Sequence, residues 1–272
     1  MTGFVGAFRS EVRKYTTTKT WWILLIVAFL GAALYAVVYG IIPATPRLLG
    51  VAEADTDIYT EPGTVAAIYN GGNSLTRILA LVAGVFAMGN EYRHRTMGLA
   101  YLATPRRRVV VAAKTAAVLL LGLVYGIASA IAGFVVALPL VGLFGGSLQL
   151  GSPDVWRAVV LGVVSIALWT LMGMGLGILI PNMVVAMIIG IAFAYLVEPT
   201  VSLVLALQDW WLPLNLLPSG ATSVMVGLSG NALMMGPSTA FPWWGAALVL
   251  LGWAVIPGGI GAVLTVRKDV NG

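Results

Sequence analysis

The chain has 272 residues, of which 60% are hydrophobic and only 9% charged. Soluble domains carry about 25% charged residues, so a soluble fold is excluded: too few polar side chains exist to cover so much apolar surface. The net charge of +5 reads as cationic loops against an anionic membrane surface, not as a nucleic-acid footprint. The absence of cysteine excludes disulfides, thiolate nucleophiles and cysteine-based metal sites.

Residues 1–20 precede the first apolar run. Phe4, Phe8, Val12 and Tyr15 recur at spacings of four, four and three, with Arg9, Ser10, Arg13 and Lys14 elsewhere on the wheel. That pattern predicts a basic amphipathic helix lying in the headgroup plane. Span 1, residues 21–42, opens on Trp21-Trp22 and is stopped by Pro43 and Pro46. It is longer than the roughly 7–15 apolar residues of a signal peptide and lacks a small-residue cleavage site, so it is kept as a span.

Residues 43–73 read as an outer loop, with Glu53, Asp55, Asp57 and Glu61 against a single Arg47. Span 2 is placed at 74–90, or from about Thr64 with a break at Asn70-Gly71-Gly72-Asn73. A basic loop, 91–110, follows. Span 3 is 111–138, ending near Pro139. Span 4 is 155–180, Pro181-Asn182 is a tight connection, and span 5 is 183–207, interrupted at Glu198-Pro199. Residues 208–241 are apolar, hold Asp209 as their one charge, and are cut by Pro213, Pro218 and Pro237. They predict an outer re-entrant hairpin, because irregular backbone is tolerated at membrane depth only when protein shields it. Span 6 is 242–266, closed by Arg267-Lys268.

The expected fold is therefore all-α and polytopic: one transmembrane domain of six spans, each near the ~20 residues a bilayer needs. Orientation follows from Lys and Arg alone. The N-terminal segment, the loop after span 2 (Lys114 counted with it) and the tail hold twelve of the fifteen basic residues. This predicts a multi-pass protein of the cytoplasmic membrane, with both termini cytoplasmic and the acidic loop outside.

The loop 91–110 is the most informative segment. Thr96–Ala103 makes two helical turns bearing Met97, Leu99, Tyr101 and Leu102, ended by Thr104-Pro105. The same pair starts the next helix, Thr104 as N-cap and Pro105 at the first helical position. Arg106, Arg107 and Arg108 then occupy a first turn, where the helix dipole disfavours cations; anionic headgroups or an acidic protein surface would offset that. The lone His94 reads as a solvated loop residue.

Chemistry on this chain is sparse. The two Lys-Thr pairs, Lys19-Thr20 and Lys114-Thr115, lack the upstream glycines of a phosphate-binding loop. No nucleophilic triad, metal set or paired intramembrane carboxylates are expected. Glu198 is read first as the wet start of the outer segment, with an intramembrane polar site as the alternative. Arg77 is read as an outer anchor that snorkels, and Arg157 beside Asp154 likewise. Gly122/Gly126 and Gly173/Gly177 predict close helix packing within the protomer.

Glu91, Arg93 and Thr96, followed by Pro105 and Arg108, resemble the intracellular loop of type-2 ABC exporter permeases. The whole arrangement is similar too: the N-terminal helix, six spans, and Leu212-Pro213-Leu214-Asn215-Leu216-Leu217-Pro218 before the last span. The resemblance implies a permease half that pairs with a second half, identical or homologous, and with two cytoplasmic ATPase subunits. Glu91, Arg93, Thr96, Met97, Leu99, Tyr101, Leu102, Pro105, Arg106 and Arg108 would form the coupling element. Phe4, Phe8, Arg9, Val12, Arg13 and Lys14 would form the helix lying beside it. ATP and magnesium would sit on the partner; no cofactor is expected on this chain. The implied cargo is a hydrophobic small molecule, lipid or peptide. The alternatives are an ion-coupled secondary transporter and a non-transporting immunity or sensory protein of the same fold.

Overall fold

The structure is a computed structural model, and it describes residues 3–42, 59–94, 107–227 and 242–271. The described residues form helices and short connections. Six helical segments are long and apolar enough to cross a membrane: Thr20–Val38, Pro62–Glu91, Arg108–Leu143, Pro153–Leu179, Met183–Leu207 and Trp243–Gly261. They match the expected spans one for one, so the chain is a membrane protein.

In chain order the elements are α1 (Phe4–Thr16), α2 (Thr20–Ile41), α3 (Pro62–Tyr69), α4 (Asn73–His94), α5 (Arg107–Leu143) and α6 (Pro153–Leu179). Then come α7 (Met183–Ala192), a π-helical turn (Phe193–Val197), α8 (Glu198–Leu207), α9 (Trp211–Asn215), α10 (Pro218–Val226) and α11 (Trp243–Asn271). The Asn-Gly-Gly-Asn break divides the second span into α3 and α4 as the sequence suggests. There the Asn73 amide donates to Asn70 Oδ1 at 3.0 Å, and Thr76 Oγ1 donates to Ser129 Oγ on α5 at 3.1 Å. These side chains satisfy polar groups that hydrocarbon would not.

Helix α6 is the centre of the bundle, packed against α4, α5, α10 and α11. Glycines bring the backbones together. A Cβ on Gly173 would run into the Leu81 carbonyl of α4, and one on Gly84 into the Thr170 carbonyl of α6. Gly122 and Gly126 sit equally close to Ala167 and Val163. The two predicted glycine ridges are thus packing surfaces within one chain. Apolar side chains stay exposed on the outside of α2, α7, α8 and α11, where lipid is the solvent. Helix α2 presents to the bundle a narrow stripe of Ala28, Ala32 and Ala36.

One expected helix end moves: α5 continues through Pro139 to Leu143, while α11 carries Pro257 inside it, as the expected span 6 does. Within a bundle, neighbouring helices satisfy the backbone a proline frees, so the helix need not stop. Pro199 acts differently. It lacks an N–H for the turn behind it, and the chain takes the π turn Phe193–Val197 just before it. Span 5 is therefore one helical run, Met183–Leu207, with a π turn inside it. After it, α10 packs against α6 and α11, with Ala221, Met225 and Val226 buried. Residues 228–241, the rest of the expected hairpin, lie outside the described residues, as do most of the outer loop 43–58 and the predicted short helix Thr96–Ala103.

Candidate functional site

Among the described residues, four charged side chains meet where α1, α4 and α5 come together. Glu11 and Lys14 lie three residues apart on one face of α1. Glu91 stands in the last turn of α4, and Lys114 in the second turn of α5. Lys14 Nζ lies 2.5 Å from Glu11 Oε1 and 2.8 Å from Glu91 Oε1. Lys114 Nζ lies 2.5 Å from Glu11 Oε2 and 2.6 Å from Glu91 Oε1. Each lysine therefore donates to both acids, and the four groups close a ring with no net charge. Glu11, Glu91 and Lys114 are only 3%, 4% and 4% exposed. Charges so buried persist only when paired and hydrogen-bonded.

The ring joins α1 to both helices that flank the loop 95–106. The C-terminal part of α11 comes to the same end: Gly177 of α6 packs on Met88, one turn before Glu91, while Gly261 packs on Leu179. Among the described residues, α11 therefore reaches the end of the bundle where α4 closes at Glu91.

Burial pushes the Glu11 carboxyl up, but Lys114 and then Lys14 outweigh it and hold its pKa below the usual 4.5. For Lys14, burial pulls down and the two carboxylates win, raising it above 10.5. Tyr15 is pushed far above the usual phenol range, by burial first and then by the charges of Glu11 and Glu91. The signs set a pH window. A depressed Glu11 contributes stability that is present above 4.5 and is lost as pH falls through its folded value. A raised Lys14 contributes stability that is full below 10.5 and is lost as pH climbs through its folded value. Limited proteolysis of the α1–α2 junction across pH is expected to show a plateau between these limits, with α1 released on both sides. Equal cleavage at neutral and acid pH would refute the assignment.

Beside the ring is a half-open cavity of about 420 Å³. Tyr15, Trp21, Leu24, Phe86, Asn90, Leu121 and Tyr125 line it with the ring residues. The Tyr125 hydroxyl donates to the Trp21 carbonyl at 2.9 Å and the Trp21 indole to the Thr16 carbonyl at 3.3 Å, fixing the α1–α2 corner. Glu91 Oε2 and Tyr15 Oη are buried there without a hydrogen-bond partner.

A second polar centre lies deep in the bundle. Glu198 is 1% exposed, which corrects its reading as the wet start of the outer segment: the helix continues past it, and its Oε1 accepts from the Ser219 amide at the start of α10. Arg77 is half-buried, and its guanidinium lies 5.2 Å from the centre of the Trp169 ring, within electrostatic reach of Glu198. The Trp169 indole in turn donates to Thr222 Oγ1 at 3.0 Å. Arg157 pairs with Asp154 at 3.2 Å on the exposed start of α6.

Of the other predicted residues, Phe4 and Phe8 stack at 6.1 Å, with Phe4 exposed and Phe8 and Val12 half-buried. Arg9 and Arg13 are exposed, and so is Arg108 in the first turn of α5. Arg93 falls in the last turn of α4. Thr96, Met97, Leu99, Tyr101, Leu102, Pro105 and Arg106 lie outside the described residues. Sequence reasoning missed Glu11 altogether. It placed Lys14 on the interfacial helix and counted Lys114 with the basic loop, and it paired neither with a carboxylate. The available sign was a lysine falling inside span 3 as drawn, an intramembrane charge that demands a partner.

Compared with known protein families and with curated proteins, the chain matches none, so the resemblance of the segment 91–108 stands on its residues alone.

Proposed function

We propose that this chain is the membrane permease subunit of an ATP-driven exporter of the ABC type-2 kind, moving a hydrophobic or amphipathic substrate, with ATP hydrolysed on a separate cytoplasmic subunit. The observation that carries the reading is the ionic ring. It makes α1, the end of α4 and the start of α5 one mechanical unit, and the only chain between those last two ends is the basic loop. A partner that moves the loop would then pull on both spans and on α1 at once. The apolar Met97, Leu99, Tyr101 and Leu102 would dock in the partner and the arginines would meet its acidic rim. Alternate opening of a path between two permease halves follows from such coupling. These 272 residues carry no phosphate-binding motif, which is why the proposal gives ATP hydrolysis to a separate subunit.

The test is purification of the full-length tagged protein in mild detergent, wild type and Leu99→Asp/Tyr101→Asp. A stoichiometric ATPase subunit with the wild type, and its loss by at least about tenfold in the variant at unchanged yield, is the expected result. Burying two carboxylates in an apolar cleft would cost that and more. An ATPase that stays with the variant would refute the coupling assignment. A second reading, ion-coupled transport, is favoured by one observation, the buried Glu198 near Arg77; a wild-type preparation with no ATPase at all would move the proposal there.

A further inference from the structure

The cavity beside the ring has a chemistry that the ring does not use. The two lysines each serve both carboxylates, yet all these contacts fall on three of the four carboxylate oxygens. Glu91 Oε2 receives nothing, and the side chain that carries it is 4% exposed. Tyr15 Oη, on another residue that lines the cavity, is likewise without a partner. A buried carboxylate oxygen lacking a donor is costly, so the group this pocket favours is a hydrogen-bond donor, and a positively charged one. Trp21, Phe86 and Tyr125 line the same space, and aromatic rings attract ammonium groups. An anion is disfavoured: both lysines that would meet it are already held by carboxylates. Leu24 and Leu121 line the pocket with alkyl carbon, and a volume of about 420 Å³ falls within the range of ordinary ligand sites.

We propose that this cavity binds the primary ammonium head of an amphiphile, donating to Glu91 Oε2 and Tyr15 Oη, with its hydrocarbon along Leu24, Phe86 and Leu121. The head could be carried by a free long-chain amine or by an aminophospholipid; the chemistry recognised is the same. The site is complete within one chain and stands whether or not the protein partners an ATPase.

The test measures binding to the purified full-length protein by quenching of tryptophan fluorescence and by thermal shift. The probes are dodecylamine, dodecanol and dodecyltrimethylammonium. The amine is expected to bind at least about tenfold more tightly than either analogue, since the alcohol lacks the charge and the quaternary head lacks N–H donors. Tyr15→Phe removes a hydroxyl that bonds nothing in the fold, so the protein should fold unchanged while amine affinity drops about tenfold. Leu121→Trp, which fills the cavity, should abolish the preference. Equal binding of amine and alcohol, equal binding of the quaternary analogue, or an amine affinity untouched by both variants would each overturn the site. Nanodiscs then separate the sources. If phosphatidylethanolamine competes with dodecylamine and phosphatidylglycerol does not, the occupant is a lipid head; if neither competes while the amine still binds selectively, it is a free amine.

Discussion

Lys114→Met is expected to cost about 3–5 kcal/mol, the cost of leaving buried charge without its partner. The substitution keeps the side-chain volume, so packing is not the cause. What it leaves is Glu11 and Glu91, both buried, facing one another with Lys14 as the remaining cation of the ring. The physical argument makes a second forecast. Replacing all three buried members at once, Glu11→Leu/Glu91→Leu/Lys114→Met, should recover most of the loss, because a buried ion cluster is often no more stabilising than apolar side chains of similar size. Lys14, being exposed at the rim, can return to water. Thermal unfolding in detergent of the wild type, single and triple variants reads this directly. A Lys114→Met protein within about 0.5 kcal/mol of wild type, the range of an ordinary surface change, would mean the ring is not closed as described.

Gly173→Leu should be comparably severe, for a different reason. Helices α4 and α6 cross with a glycine from each against the backbone of the other: Gly173 against the Leu81 carbonyl, Gly84 against Thr170. A side chain at 173 has a carbonyl group in its way, not a flexible side chain that could move aside. The helices must part, at a cost of about 3 kcal/mol by the measure of overpacked cores, and in a membrane no hydrophobic force draws them back. The central helix would then lose its fit to α5 and α11 as well. Gly142→Leu supplies the control: it is an exposed helical glycine with open space around it, so its cost should stay within about 0.5 kcal/mol. Equal melting temperatures for Gly173→Leu and Gly142→Leu would rule out the close crossing.

The six spans were legible because hydrocarbon imposes a length and a composition on any segment that crosses it. The same rule made the break at Asn70–Asn73 and the glycine ridges readable. Helix ends were less so: Pro139 looks like a stop in isolation, yet the neighbouring helices let α5 continue through it. Glu198 illustrates the limit. Its position beside Pro199 suggests a boundary, but it is buried and accepts a hydrogen bond from Ser219, more than a helix away in sequence.

The sequence by itself determined that the chain lies in a membrane, how often it crosses, and that its charge gathers in three segments, because these are properties of composition along the chain. Only the tertiary structure decided what those charges do. Glu11 and Lys114 are separated by a span pair, and no periodicity in either segment announces the other. They meet because α1 folds back against α4 and α5, and they stay because burial leaves each charge no alternative partner. The same packing leaves Glu91 Oε2 and Tyr15 Oη facing a cavity, which no local pattern of residues encodes.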